Sequence, residues 1–174
     1  MANYKQFLKD VTTFIFDYDG VMNDGNVILL SSEDEPLRTV NVKDGYALQL
    51  AVKKGYNVAI ISGGKSDVIK ERFKRLGIKD IFLGAEHKLT VYKEYIDINK
   101  IDSKNVLYMG DDIPDYEVML EVGMPVCPAD AAEEIKSISK YISPEKGGHG
   151  CVRDIIEQVL KVQDNWLKEG DFHW

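Results

Sequence analysis

Carboxylates follow two short apolar runs of this chain, at the points where the runs end. Asp17 and Asp19 come after residues 12–16 of the first run. Asp111 follows residues 105–109 of a later run, with one glycine between. Carboxylate oxygens are ligands that Mg²⁺ prefers, and an ionised carboxylate can also act as a nucleophile or carry a proton. If the two runs are neighbouring strands, these groups can hold one metal ion and transfer a phosphoryl group.

Two further groups suit the binding of a phosphate. Ser62 and Gly63 follow the apolar run 57–61, and Lys88 follows the run 81–83 at the start of a predicted helix. A hydroxyl, backbone N–H groups and an ammonium group can all bind phosphate oxygens. Taken singly, such residues are common in turns and on surfaces. Their order along the chain, each after a predicted strand, favours one shared site.

Five short apolar runs alternate with amphipathic helical segments, which is typical of a parallel sheet with helices on both faces. We therefore expect an α/β fold built on a doubly wound, Rossmann-like parallel sheet. Such sheets bind ligands beyond the carboxyl ends of their strands, so the polar groups above would meet in one crevice. The predicted strands are Thr12–Phe16, Asn57–Ile61, Ile81–Leu83, Asn105–Met109 and Pro125–Cys127.

Polar residues at two points predict where helices begin. Asp44 is expected to cap one helix and Ser66 the next, with Gly55 and Gly77 just after their ends. The last helix has apolar residues at i, i+3, i+4 and i+7, which predicts one buried face. That face comprises Val152, Ile155, Ile156 and Val159.

Two segments depart from the alternation of strand and helix. Residues 25–42 hold two apolar pieces around Ser31–Pro36, which predicts a β-hairpin flap. Residues 144–168 are predicted to form a flexible Gly-rich loop and the last helix. No linker is visible, so residues 1–174 are expected to form one domain without an inserted cap domain. The apolar flap residues are candidates for subunit contacts, or alternatively pack on the chain's own core: Val27, Ile28, Leu29 and Leu30.

The charge balance disfavours some classes of partner. The 174 residues include 29 acidic and 22 basic side chains, a net charge of -7. This argues against nucleic acid or an anionic membrane surface as the main partner. No apolar run approaches the ~20 residues that span a bilayer, and the first residues lack a signal-peptide pattern. Cys127 and Cys151 are interpreted as reduced thiols, so a cytoplasmic protein is expected.

The strand-end groups match, in order, the four motifs of the haloacid dehalogenase-like phosphatases, and the chain resembles that family. The pieces around Asp17 and Asp111 carry the specific part of the resemblance. It implies Mg²⁺-dependent hydrolysis of a phosphomonoester through an aspartyl-phosphate. The resemblance implies that Asp17 is the nucleophile, that Asp19 is the general acid and base, and that Ser62 and Lys88 bind phosphate. It also implies that Mg²⁺ is bound by Asp17, the Asp19 backbone carbonyl and Asp111. Asp112 or Asp115 would support these metal ligands.

Within that family the chain resembles the capless subclass, and specifically the 3-deoxy-D-manno-octulosonate 8-phosphate phosphatases, through segments such as Asn41–Tyr46 and Gly147–Gly150. This resemblance implies release of the free sugar acid for lipopolysaccharide. It also implies a homotetramer whose active sites lie at subunit interfaces, completed by the flap and Gly-rich segment of neighbouring subunits. Besides Asp19, Ser62 and Lys88, the implied substrate contacts are Asn41, Val42, Lys43, Asp44, Gly45, Gly63, Arg72 and His149.

The second motif departs from the family pattern, which leaves the substrate open. The family usually has an Arg after Ser-Gly or Thr-Gly, whereas this chain has Gly64 followed by Lys65. A cation is therefore missing on the sugar-acid side. One alternative substrate is a nine-carbon ulosonate 9-phosphate, because one extra carbon is a small difference in a wet, charged pocket. A broad sugar or nucleotide phosphatase and a noncatalytic domain of this fold are weaker alternatives.

Overall fold

Six parallel strands form one sheet in the computed structural model, which describes residues 3–31 and 35–173. The strand order is β3-β2-β1-β4-β5-β6. β1 therefore lies between β2 and β4, and the strand order reverses beside it. The strands are β1 (Thr13–Phe16), β2 (Asn57–Ser62), β3 (Asp80–Leu83), β4 (Val106–Met109), β5 (Met124–Cys127) and β6 (Tyr141–Ile142).

Helices cover both faces of this sheet, as the sequence predicts for a doubly wound fold. Among the described residues, no helix is long and apolar enough to cross a membrane, and no element forms a cap domain over the sheet. The helices are α1 (Lys5–Leu8), α2 (Val42–Lys53), α3 (Asp67–Arg75), α4 (Lys88–Asn99), α5 (Tyr116–Glu121), α6 (Glu133–Ile138) and α7 (Cys151–Val162).

The central strand shows why the strand sequences are continuously apolar. Phe14 and Phe16 point to one face, where α2 and α7 pack, and both are fully buried. Ile15 points to the opposite face, where α4 and α5 pack, and it is buried as well. A strand covered on both faces favours apolar residues at consecutive positions, and only Thr13 at the start of β1 departs from this pattern. Each such side chain contributes about 1.5–3 kcal/mol to folding, which anchors the strand end that precedes Asp17.

All five predicted strands are present, with ends that differ by about a residue. β6 was not predicted, because its two residues are too few to give a pattern. The Ser66 cap is confirmed, since its side chain accepts the Ile69 N–H at 3.2 Å. The Asp44 cap is wrong. Asn41 caps α2 instead, and its side chain accepts the N–H groups of Lys43 and Asp44.

The predicted flap is present only as one antiparallel bridge between Ile28 and Leu37, closed by two hydrogen bonds of 3.0 Å. Neither arm is a continuous strand, and residues 32–34 of the predicted turn lie outside the described residues. The four apolar residues 27–30 are 43–71% exposed. They therefore do not pack on the chain's own core.

The predicted flexible Gly-rich loop is instead packed against the loop that follows β1. The Gly148 N–H donates to the Val21 carbonyl at 2.9 Å. A side chain at Gly147 would overlap the Gly20 carbonyl, so only glycine allows this close approach. Gly148 adopts a φ of +70°, a conformation that favours glycine. The prediction that these glycines are flexible is therefore wrong.

Candidate active site

Three carboxylates meet at the carboxyl edge of the sheet. Asp17 directly follows β1, and Asp111 follows β4 after one glycine. Because β1 and β4 are parallel neighbours in the sheet, both strands end at the same edge. Asp115 reaches the same place from the short turn Ile113–Asp115. One carboxylate oxygen from each of the three lies within 4.8 Å of the others.

Lys88 ties two of these carboxylates together. Its Nζ lies 2.9 Å from Asp17 Oδ1 and 2.7 Å from Asp115 Oδ1, and all three side chains are buried. The Tyr108 hydroxyl donates to the same Asp115 oxygen at 2.6 Å, and the Asp111 N–H donates to the other oxygen at 3.2 Å. Asp115 is thus held from several sides and in turn holds Lys88 and Asp111 in place.

The choice between Asp112 and Asp115 as the supporting carboxylate follows from this geometry. Asp115 is 1% exposed and belongs to the cluster. Asp112 is exposed on the surface. The structure therefore brings Asp115, and not Asp112, to the other carboxylates.

Two glycines make room for the cluster. A Cβ at Gly20 would overlap the Asp111 carboxylate, and a Cβ at Gly110 would overlap the Asp115 side chain. Gly20 also has a φ of +84°, which disfavours any L side chain. Both glycines are therefore required by the position of the acidic groups rather than by the turns alone.

The crowding of acidic groups changes their proton affinity. Burial, followed by the charge of Asp17 and then that of Asp115, raises the pKa of Asp111 to about 8. Burial and then Asp115 raise the pKa of Asp17 to about 7, against the opposing charge of Lys88. Burial alone would lower the pKa of Lys88, but the two carboxylates hold it above its usual value. One cation therefore does not balance the three acidic groups.

The donor set fits a divalent cation. Three carboxylates face a single ammonium group, and Lys88 Nζ already contacts Asp17 Oδ1 at 2.9 Å and Asp115 Oδ1 at 2.7 Å. The excess negative charge is costly in a buried cluster unless a further cation balances it. Clustered carboxylate oxygens without sulfur or imidazole ligands suit a hard cation such as Mg²⁺. The oxygens of Asp17 and Asp111 are placed to provide that site.

Asp19 has a different set of partners from the buried cluster. Its side chain is 33% exposed, and Arg38 forms two contacts with it, Nε to Oδ1 at 2.7 Å and Nη2 to Oδ2 at 3.2 Å. Asn23 also donates to Asp19 Oδ1 at 2.7 Å. Sequence reasoning missed Arg38 and Asn23. One sequence feature could have indicated Arg38, because it is the only Lys or Arg in residues 25–42, the segment that follows the loop of Asp19.

Ser62 is the last residue of β2, and its side chain is buried. The Gly64 N–H donates to the Ser62 hydroxyl at 3.3 Å, while Gly63 is exposed. The hydroxyl and the following backbone N–H groups therefore lie beyond the strand next to Asp17. This arrangement can bind the oxygens of a phosphate.

The remaining predicted substrate residues lie outside the carboxylate cluster. None of the hydrogen bonds or ion pairs described for residues 3–31 and 35–173 joins them to it. Asn41 donates to the Gly148 carbonyl at 3.1 Å, and Asp44 accepts the Arg153 N–H at 2.7 Å. These two residues therefore support the packing of α2 against α7.

The other predicted contacts are arranged around α2. Val42 is 61% exposed on its first turn, and a Cβ at Gly45 would stand 2.9 Å from Arg72 Nη2. Lys43 and His149 line a surface cavity together. The structure thus divides the predicted substrate residues between two sides of α2.

Comparison with known proteins identifies the family. A sequence profile of haloacid dehalogenase-like hydrolases matches residues 80–155. The 3-deoxy-D-manno-octulosonate 8-phosphate phosphatase of Yersinia pestis is 35% identical over 155 residues, which are 89% of this chain and 82% of that protein. The chain belongs to the haloacid dehalogenase-like hydrolases. The family resemblance inferred from the motifs is therefore confirmed.

Two solved phosphatase structures share most of the architecture of this chain. The 3-deoxy-D-manno-octulosonate 8-phosphate phosphatase of Moraxella catarrhalis, crystallised with a magnesium ion, a phosphate ion and a KDO molecule, has a TM-score of 0.90 at 34% identity and covers 95% of each chain. The cobalt-bound form of the corresponding Haemophilus influenzae phosphatase has a TM-score of 0.88 at 26% identity, covering 95% of this chain and 94% of that one.

Proposed function

We propose that this chain is a Mg²⁺-dependent phosphatase that hydrolyses 3-deoxy-D-manno-octulosonate 8-phosphate to the free sugar acid and phosphate. The observation that carries the proposal is the buried cluster of Asp17, Asp111 and Asp115 around Lys88 at the sheet edge. The substrate class comes from relatives at 34–35% identity that cover most of the chain.

Asp17 and Asp111, with the backbone carbonyl of Asp19, would hold the Mg²⁺ ion. Asp115 supports this arrangement through its contacts with the Asp111 N–H and with Lys88. When bound, the cation neutralises phosphoryl charge, which allows an anionic carboxylate to approach an anionic phosphate. Lys88 keeps the Asp17 carboxylate oriented through their 2.9 Å contact. Ser62 and the backbone N–H groups after it would bind the phosphate oxygens.

The reaction takes place in two displacement steps. In the first, an Asp17 carboxylate oxygen bonds to phosphorus while the bond from phosphorus to the sugar oxygen breaks, and Asp19 gives that oxygen a proton. In the second, water attacks phosphorus as Asp19 takes its proton. The bond between phosphorus and Asp17 then breaks, which releases phosphate and restores both aspartates.

The test compares kcat/KM for phosphorylated eight-carbon and nine-carbon ulosonates, other sugar phosphates and p-nitrophenyl phosphate, each with Mg²⁺ and with EDTA. We expect turnover only with Mg²⁺ and the highest kcat/KM for the eight-carbon ulosonate. A preference for the nine-carbon substrate would overturn the substrate assignment. No turnover of any phosphomonoester would overturn the enzymatic assignment and favour a noncatalytic domain.

We also propose that residues 1–174 act as one domain in a cytoplasmic homotetramer, with active sites at subunit interfaces. A site without a cap domain needs walls from elsewhere to grip a small polar substrate, and closed symmetric oligomers commonly provide them. The exposed apolar residues Val27, Ile28, Leu29 and Leu30 support this proposal. Lys43, Arg72 and His149 would then contact substrate from the two sides of α2. A fully active monomer in sedimentation at assay concentration would exclude the proposed assembly.

A further inference from the structure

Arg38 contacts the proposed site from the irregular segment that precedes α2. It lies between the Ile28–Leu37 bridge and the start of α2, and its side chain is only 10% exposed. Its guanidinium contacts both oxygens of Asp19, at 2.7 and 3.2 Å. With Asn23 on one of those oxygens as well, the protein's own groups occupy the Asp19 carboxylate on both sides.

Gly64 is the residue that leaves space for this guanidinium. A Cβ at Gly64 would stand 3.0 Å from Asp19 Oδ2, 3.2 Å from Arg38 Nη2 and 3.7 Å from Ser62 Oγ. Arg38 therefore lies next to the loop that would bind phosphate. Residue 64 is the motif position where the sequence analysis noted a missing Arg, and in this chain the guanidinium of Arg38 lies beside that position.

We propose that Arg38 is a ligand of the substrate's phosphoryl group, and that it exchanges the Asp19 carboxylate for that group when substrate binds. This inference rests on the proposed phosphatase function. Asp19 needs a free carboxyl oxygen to transfer a proton, and in the structure Arg38 contacts both of its oxygens. A phosphoryl group offers a guanidinium the same two-oxygen edge as a carboxylate. The exchange therefore replaces one ion pair by another.

A purely orienting role predicts a different outcome. If Arg38 only holds Asp19 in position, its loss lowers kcat for an alkoxide leaving group and leaves phosphate affinity unchanged. If Arg38 binds the phosphoryl group, its loss weakens the binding of every phosphorylated ligand, whatever the leaving group. Inorganic phosphate and p-nitrophenyl phosphate separate the two roles, because neither contains a sugar acid.

The experiment measures the Kd of inorganic phosphate with Mg²⁺ by calorimetry, and KM and kcat for p-nitrophenyl phosphate. Arg38→Met removes the charge and keeps the stem, Arg38→Lys keeps a point charge, and Lys70→Met on the exposed side of α3 is the matched control. Arg38→Met also removes the ion pair with Asp19 from the free chain, so Kd and KM report only the difference between the two ion pairs. The more highly charged phosphoryl group makes that difference favourable and predicts a rise of about 3–10-fold in both Kd and KM. The Kd and KM of Arg38→Lys should lie between those of the unmodified chain and those of Arg38→Met. Lys70→Met should change neither value.

A second variant tests the spatial relation to Gly64. Arg38→Met combined with Gly64→Arg should recover part of the lost phosphate affinity, because it returns a guanidinium to the loop that follows Ser62. An unchanged phosphate Kd and an unchanged KM in both Arg38 variants would overturn the inference, with or without a fall in kcat. A wrong sugar-acid assignment would leave this test intact, since it needs no sugar acid. Thermal unfolding establishes that each variant is folded. If Arg38→Met does not fold, the Kd and KM of Arg38→Lys alone decide whether Arg38 binds the phosphoryl group.

Discussion

Lys88→Met tests the electrostatic account of the carboxylate cluster, because it removes the cation that contacts both Asp17 and Asp115. Methionine keeps most of the apolar stem and deletes the charge. All three side chains are at most 8% exposed, and the contacts are 2.9 and 2.7 Å. Removing one partner from a buried ion pair costs about 3–5 kcal/mol. We expect the metal-free variant to lose about that much free energy of unfolding at pH 8.

The loss should depend on pH, with a sign fixed by the raised pKa values. Asp17 and Asp111 have pKa values of about 7 and about 8, against 3.8 for an ordinary Asp. An acid whose pKa is raised by folding contributes stability at low pH, and that contribution declines as pH rises through the folded-state pKa. At pH 5 both acids are largely protonated in the folded chain. The cost of losing Lys88 should therefore be smaller at pH 5 than at pH 8.

Urea unfolding in EDTA at both pH values measures the effect. Lys93→Met on the same helix is the matched control, since Lys93 lies 3.5 Å from Glu121 and both side chains are about half exposed. Such a surface pair contributes about 0–1 kcal/mol. Mg²⁺ should restore part of the stability of Lys88→Met, because it binds the folded chain. Equal losses for the two variants at pH 8 would refute the electrostatic account.

Three further substitutions test individual carboxylates. Asp17→Asn should lower kcat by about 10³-fold or more for every phosphomonoester, because an amide does not attack phosphorus; retention of a tenth of the activity would exclude Asp17 as nucleophile. Asp19→Asn should lower kcat by about 10²–10⁴-fold with the sugar acid phosphate and far less with p-nitrophenyl phosphate, whose leaving group needs little protonation; equal losses would contradict a proton-transfer role. Burial raises the pKa of Asp44 to about 6, so its contribution to stability should decline by about 2 kcal/mol as pH rises from 4 to 7. Asp44→Asn should flatten that part of the pH profile in urea unfolding, and an unchanged profile would contradict the raised pKa.

The sequence predicted the sheet and the placement of the acidic groups well, because both depend on local patterns. Continuous apolar runs mark strands buried on two faces, and parallel strands end at a common edge. The positions of Asp17, Asp111 and Lys88 follow from these two rules. The choice of Asp115 over Asp112 could not be predicted from these rules, because it depends on how the turn after β4 directs each side chain.

Contacts between distant segments account for the predictions that failed. Asn41 and Asp44 are both acceptable helix caps, but α2 begins at Val42, and Asp44 in its first turn instead accepts the Arg153 N–H from the distant α7. The contact between Arg38 and Asp19 joins an irregular segment to a strand end, so no periodicity reports it. The Gly-rich loop looked flexible because composition does not show the close packing of Gly147 on Gly20.

The packing of the Gly-rich loop on the β1 loop also constrains how the site can form during folding. The Cys151 thiol donates to the Val21 carbonyl across 130 positions of the chain, beside the contact of Gly148 with the same carbonyl. Closing so long a loop is slow, and its entropy must be lost before the contact forms. A nascent chain that has emerged only as far as Asp115 would carry every proposed catalytic group, yet the loop holding Asp19 would lack its support. Phosphatase activity should therefore arise late in synthesis, after the segment around Cys151 has been added.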